Sequence, residues 1–251
     1  MVQDKKSVRP RRVNASASAA ESSSAESTKP PAQPDRAWDA FNQGVGSYQM
    51  QKYEEAIASL KQAVSINPDY GAAYYYLGES YSALGQHEEA IESYQNASRL
   101  KPNNAIIFNN LGVEYNEVRH YNEAIEAFKQ SLSLRKGDAM TYYNLGVAYH
   151  NNLRFREAIE AYQQAIGLES KDSKAYYGLG LASYDAGSYE LAIPPLKEAI
   201  RLKPDLGEAY YHLVLTYMKL DNRDEAISQY NTLKNIDSTL ADKLSVLFRT
   251  K

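Results

Sequence analysis

Four histidines are the first side chains to test for chemistry: His87, His120, His150 and His212. No two stand four residues apart, so no helix can offer a pair of imidazoles to one metal ion, and no His-Glu-x-x-His run exists. The chain has no cysteine, which removes disulfides and thiolate metal sites. Gly44-Val45-Gly46 and Gly178-Leu179-Gly180 resemble fragments of phosphate-binding loops, but neither follows a strand pattern. Carboxylate pairs such as Glu54-Glu55 and Glu88-Glu89 recur just ahead of apolar stretches, where they suit the positive end of a helix better than acid–base work. No constellation predicts an enzyme, a cofactor or a metal site.

Composition narrows the remaining classes. The chain has 251 residues and a formal net charge of −3, which gives no electrostatic reason to expect a nucleic-acid partner. Tyrosine dominates the aromatics, with 22 Tyr against 5 Phe and 1 Trp, so most rings carry a polar end that can face water. No run of about 18 apolar residues predicts a membrane span. Met1 to Pro10 carries charge without an apolar core and does not read as a secretory signal. A cytoplasmic protein is expected; the alternative is a periplasmic or exported one whose signal was removed upstream.

Two regions differ in physics. Residues 1–36 are rich in Ser, Ala, Pro and charge, and their large apolar residues are limited to Met1, Val2, Val8 and Val13. Such a segment cannot bury enough surface to offset its ordering entropy and reads as a disordered tail. Its start is basic, with Lys5, Lys6, Arg9, Arg11 and Arg12 against Asp4. From Ala37 onward a period appears. Ala-Ile recurs at Ala56, Ala90, Ala124, Ala158, Ala192 and Ala226, each 34 residues after the last. This sets six units: 37–70, 71–104, 105–138, 139–172, 173–206 and 207–238.

Within a unit the pattern is that of two helices. Tyr74, Leu77, Gly78 and Tyr81 fall on one helical face, Gly85 stops that helix, Glu88 and Glu89 open a second, and Ala90, Tyr94 and Ala97 form its apolar stripe. Pro102 ends the unit. Gly78 and Ala90 allow close approach of the pair, and stacked pairs would bury a continuous core. Pro194-Pro195 breaks the pattern and predicts a second helix in the fifth unit that starts late or kinks. After residue 238, Leu240, Leu244, Leu247 and Phe248 mark an amphipathic segment, 239–251, expected to cap the last unit.

The aromatic, Leu-Gly, Tyr, Ala, aromatic, Ala and Pro places resemble the tetratricopeptide repeat family. They are carried by Phe108, Leu111-Gly112, Tyr115, Ala124 and Phe128, and again by Tyr142, Leu145-Gly146, Tyr149, Ala158, Tyr162 and Ala165. The resemblance implies an all-α, right-handed superhelical solenoid of antiparallel helix pairs, and a monomeric interaction scaffold that binds a protein or peptide in a concave groove. The alternative is an assembly subunit that self-associates or docks through its terminal helices. By the same resemblance, groove positions fall on the first helices. The fifth places are Phe41, Tyr75, Asn109, Tyr143, Tyr177 and Tyr211; the sixth include Asn42, Asn110, Asn144 and His212; the ninth include Val147 and Leu181. Asn at the sixth place can donate to and accept from a peptide backbone, as in the similar groove of the O-linked N-acetylglucosamine transferase repeats, although Tyr76 and Gly178 interrupt the series here. The carboxylate clamp of chaperone-binding members is not matched: Asn144 and Lys174 fit it, while Asn109, Val113 and Gly178 do not. His87 and His120 fall in inter-helix turns and are expected to be solvated.

Overall fold

The computed structural model describes residues 36–249; the predicted tail, apart from Arg36, lies outside the described residues, as do Thr250 and Lys251. The described residues form thirteen helices and no strand. They divide into two compact units, one ending at Lys136 and the other beginning at Gly137.

The N-terminal unit holds α1 (Arg36–Gln49), α2 (Tyr53–Ile66), α3 (Gly71–Ala83), α4 (His87–Leu100), α5 (Ala105–Glu117) and α6 (Tyr121–Leu134). Consecutive helices pair, and α1 also touches α3, so first helices neighbour one another. The small residues work as spacing elements. A Cβ on Gly78 would sit 2.7 Å from the Tyr94 ring, and one on Gly112 would sit 2.7 Å from Phe128. Ala56, Ala90 and Ala124 are wholly buried on the opposing helices, which brings each pair to close packing. Between first and second helices the chain turns through a left-handed residue. That residue is Gly85 in one turn, but Gln51 and Arg119 in the other two. Proline follows the second helices at Pro68 and Pro102, where no further helical N–H is needed.

The C-terminal unit holds α7 (Ala139–Asn151), α8 (Phe155–Leu168), α9 (Ser173–Asp185), α10 (Tyr189–Leu202), α11 (Gly207–Lys219), α12 (Arg223–Ile236) and α13 (Ser238–Arg249). The Asp138 and Asp172 side chains accept from the backbone N–H groups of Thr141 and Lys174 and so cap α7 and α9. Tyr162 is clasped by two glycines, since a Cβ on Gly146 or Gly178 would lie 2.8 or 2.7 Å from its ring. α13 buries Leu240, Ala241 and Leu244 against α11 and α12, and the Phe248 ring stacks on Tyr230 at 4.6 Å. The apolar stripe of the last helix is thus used within its own chain.

One expectation is corrected. α10 does not start late: it begins at Tyr189, 34 residues after α8, and continues unbroken through Pro194 and Pro195. The prolines withdraw the N–H groups that would bond to the carbonyls of Glu190 and Leu191. Both of those residues are exposed, so water can reach their backbone, while buried Ala192, Pro195, Leu196 and Ala199 hold the helix to its neighbours.

Candidate functional site

First helices present the face on which the predicted groove residues lie. In the N-terminal unit this face is aromatic. Trp38 stacks on Phe41 at 6.2 Å, Phe41 meets Tyr70 at 4.7 Å and Tyr76 at 5.8 Å, and Tyr76 meets Tyr48 at 5.5 Å. Tyr48 continues the run to Tyr53 at 5.8 Å. Trp38 is 53% exposed, Asn42 is exposed, and Phe41 and Tyr76 are half-buried.

Behind this surface lies a carboxylate that is absent from the predicted groove set. Glu79 is buried and accepts three hydrogen bonds: from the Tyr94 hydroxyl at 2.5 Å, the Asn110 Nδ2 at 2.7 Å and the Tyr48 hydroxyl at 3.1 Å. The Asn109 amide in turn donates to Asn110 Oδ1 at 3.2 Å. Burial first, and the Glu79 charge second, push the phenols of Tyr48, Tyr76 and Tyr94 above their usual range, so all three stay protonated as donors. A signal was available in the sequence. Glu79 occupies the ninth place of its unit, where every other unit has Val or Leu.

A second buried carboxylate, Glu114, takes a hydrogen bond from Ser82 Oγ at 2.8 Å and lies 2.8 Å from His87 Nδ1. His87 opens α4 and, although its side chain is still 30% exposed, it is tied to a buried acid on the next first helix and is not freely solvated, contrary to expectation. His120 is exposed, as its turn position predicts.

In the C-terminal unit the first-helix face carries Lys174, Tyr177, Tyr211, His212 and Leu215. Tyr211, Tyr177 and Tyr184 surround the His212 ring at 5.2, 5.6 and 6.1 Å. His212 Nδ1 lies 2.9 Å from the Glu208 carbonyl oxygen and 3.2 Å from the Tyr177 hydroxyl. Burial lowers the His212 pKa, which keeps the ring neutral in this aromatic setting. Burial likewise raises Tyr184 to about 12. His150 Nε2 lies 2.8 Å from Asp185 Oδ2. Among the described residues no cluster of His, Asp and Glu could hold a metal ion, and no helix is long and apolar enough to cross a membrane.

The predicted groove set divides sharply. Tyr75, Asn109, Asn110, Tyr143, Asn144, Val147 and Leu181 are buried. Phe41, Tyr177, Tyr211 and His212 are half-buried, and Asn42 and Lys174 are exposed. The asparagines at the sixth place therefore do not form a solvent-facing series: Asn42 alone is exposed, while Asn110 serves Glu79 and Asn144 is enclosed.

Comparison with known proteins agrees with this architecture. A family model described as TPR repeat matches residues 47–85, 78–117 and 120–152, and two described as tetratricopeptide repeat match 151–207 and 207–239. The crystal structure of MamA is 31% identical, with a TM-score of 0.62, covering 66% of this chain and 96% of that one. YrrB, described as a TPR protein with an unusual peptide-binding site, is 21% identical with a TM-score of 0.64, covering 74% and 97%. PilW, described as a type IV pilus biogenesis factor, is 19% identical with a TM-score of 0.70, covering 84% and 99%. No curated protein sequence matches the chain.

Proposed function

This chain belongs to the tetratricopeptide repeat family, and from that premise we propose that it is a non-enzymatic interaction scaffold whose first-helix faces take up a segment of a partner protein. The observation that carries this reading is the run of solvent-reached rings from Trp38 through Phe41 to Tyr76, with Asn42 among them. Exposed aromatic surface of this kind is costly to leave in water and is enriched where proteins bind one another. Lys174, Tyr177 and Tyr211 extend the same character to the C-terminal unit, adding a cation and phenolic hydroxyls. Rings supply contact area, while Asn42, the tyrosine hydroxyls and Lys174 supply hydrogen bonds to a peptide backbone or an acidic side chain. The peptide-binding site of YrrB, a protein of the same fold, supports the reading.

The test separates contact from folding. Tyr143 is buried, so its truncation would open a cavity. Phe41→Ala and Tyr211→Ala are better probes because both side chains are only half-buried. Partners captured by the wild-type chain should lose affinity for these variants by about 1–2 kcal/mol each, with helicity by circular dichroism unchanged. Wild-type affinity in both would move the binding surface elsewhere.

A further inference from the structure

The first helices of the N-terminal unit share a charge bias. α1, α3 and α5 carry Asp39, Glu79, Glu114 and Glu117 against Arg36 alone. The first helices of the C-terminal unit, α7, α9 and α11, balance Asp185 and Glu208 with Lys174 and Lys219.

The acidic bias meets the aromatic run at one place. Phe41 and Tyr48 stand two turns apart on one face of α1. Tyr76 of α3 is steeply inclined to both rings, at 65° and 69°. All three are half-buried, so a ligand in water can reach them. The Tyr48 hydroxyl donates its proton to Glu79 Oε2 at 3.1 Å, and its oxygen is left as an acceptor polarised by that carboxylate. Tyr48, Tyr94 and Asn110 donate to Glu79 as neutral groups and bring no positive charge with them. The charge is felt at the surface: next to burial itself, Glu79 holds the phenols of Tyr48 and Tyr76 above their usual range.

A cation suits this place on two counts. Ring faces attract positive charge, and do so more strongly where water is scarce. A carboxylate behind half-buried rings adds to that attraction, because it is screened less than a charge on open surface. An anion would be repelled by both.

We propose that Phe41, Tyr48 and Tyr76, in front of Glu79, seat an arginine or lysine side chain of the partner, so that the N-terminal unit selects basic segments. This names the partner chemistry of the face already proposed to bind protein, and rests on that reading.

The probes are N-acetyl-arginine amide and its neutral isostere N-acetyl-citrulline amide, titrated into the full chain and followed by NMR at the Tyr48 and Tyr76 amides. The arginine probe should bind about fivefold tighter or better, and the margin should shrink as salt is raised towards about 1 M. Glu79→Gln should bring the two probes to near equality. Tyr76→Leu, which leaves Glu79 in place, should also narrow the margin. Equal binding of the two probes to the wild-type chain, a comparison that needs no variant to fold, would overturn the proposal. So would an unchanged margin in a folded Glu79→Gln or Tyr76→Leu chain. A margin that emerges only when Arg9, Arg11 and Arg12 are all changed to Ala would assign the seat to this chain's own residues, and would overturn it as well. The partner-binding reading is judged separately, by whether captured partners lose affinity for Phe41→Ala and Tyr211→Ala. Equal probe binding together with that loss strikes the basic preference alone.

Discussion

The Tyr94 hydroxyl of α4 donates a 2.5 Å hydrogen bond to the Glu79 carboxylate of α3, joining the two helices of one repeat through a buried charge. A carboxylate out of water is tolerated only when donors replace its hydration, and here Asn110 and Tyr48 donate to it as well. The same network draws in α5 through Asn110 and α1 through Tyr48, so one acid links three successive repeats of the N-terminal unit.

Tyr94→Phe should therefore destabilise the chain by about 1–3 kcal/mol, because it strips a donor from a buried charge without removing ring volume. In a Glu79→Val background the same change should cost much less. Urea unfolding of the two single variants and the double variant measures the coupling, and an interaction energy below about 0.5 kcal/mol would show that the pair acts independently.

The His212 ring carries a pH dependence of definite sign. Its folded pKa is lowered by burial, so the neutral form is favoured in the native state. Its contribution to stability is complete above the unfolded value of about 6.5 and is lost as pH falls from there through the folded pKa. Glu208, Asp185 and His150 lie close enough to modulate this loss. Unfolding midpoints measured from pH 7.5 downward should fall for the wild-type chain and fall less for His212→Gln. Parallel curves would remove His212 as the cause.

Much of this architecture is legible in the chain itself. The 34-residue recurrence of Ala-Ile places the second helices, and pairs such as Gly78 with Tyr94 follow from one small residue facing one large residue across a helix pair. What the pattern does not reveal is which first-helix side chains water reaches. Asn42 and Asn110 hold the same place in their units, yet one is exposed and the other is enclosed: Asn110 packs against the preceding repeat and reaches its Glu79, while Asn42 lies on the first of the described helices. His87 misleads in the same manner: a turn position suggests solvent, while the next first helix brings Glu114 to its ring. Such outcomes depend on neighbours about thirty residues away, which a local reading of periodicity does not contain.

The left-handed turn residues offer a simple gain in stability. Leu153 adopts φ 60° and is 61% exposed, so its side chain contributes little packing while its backbone sits where Cβ is disfavoured. Gly187 holds the equivalent place one repeat later at φ 77°. Leu153→Gly should raise stability by roughly 1 kcal/mol, and Gly187→Leu should lower it by a similar amount. Thermal unfolding that moves in the same direction for both would contradict the backbone account.

Pro194 tests what the fifth repeat gives up for its unusual outer surface. It is exposed, follows Leu191 at helical spacing, and removes a hydrogen bond to the Glu190 carbonyl. The side chain of Leu191 is itself 69% exposed, at a place where every other unit has Glu. Pro194→Ala should restore the N–H without losing buried contact, and stabilise α10 by up to about 3 kcal/mol. Pro195→Ala should gain less, because the Pro195 ring is buried and its packing is lost as the hydrogen bond returns. Amide exchange across α10 reads both effects at the affected turn. Equal gains from the two substitutions would mean that the Pro195 ring contributes no packing, and an unchanged Pro194→Ala would mean that the Glu190 carbonyl is fully served by water.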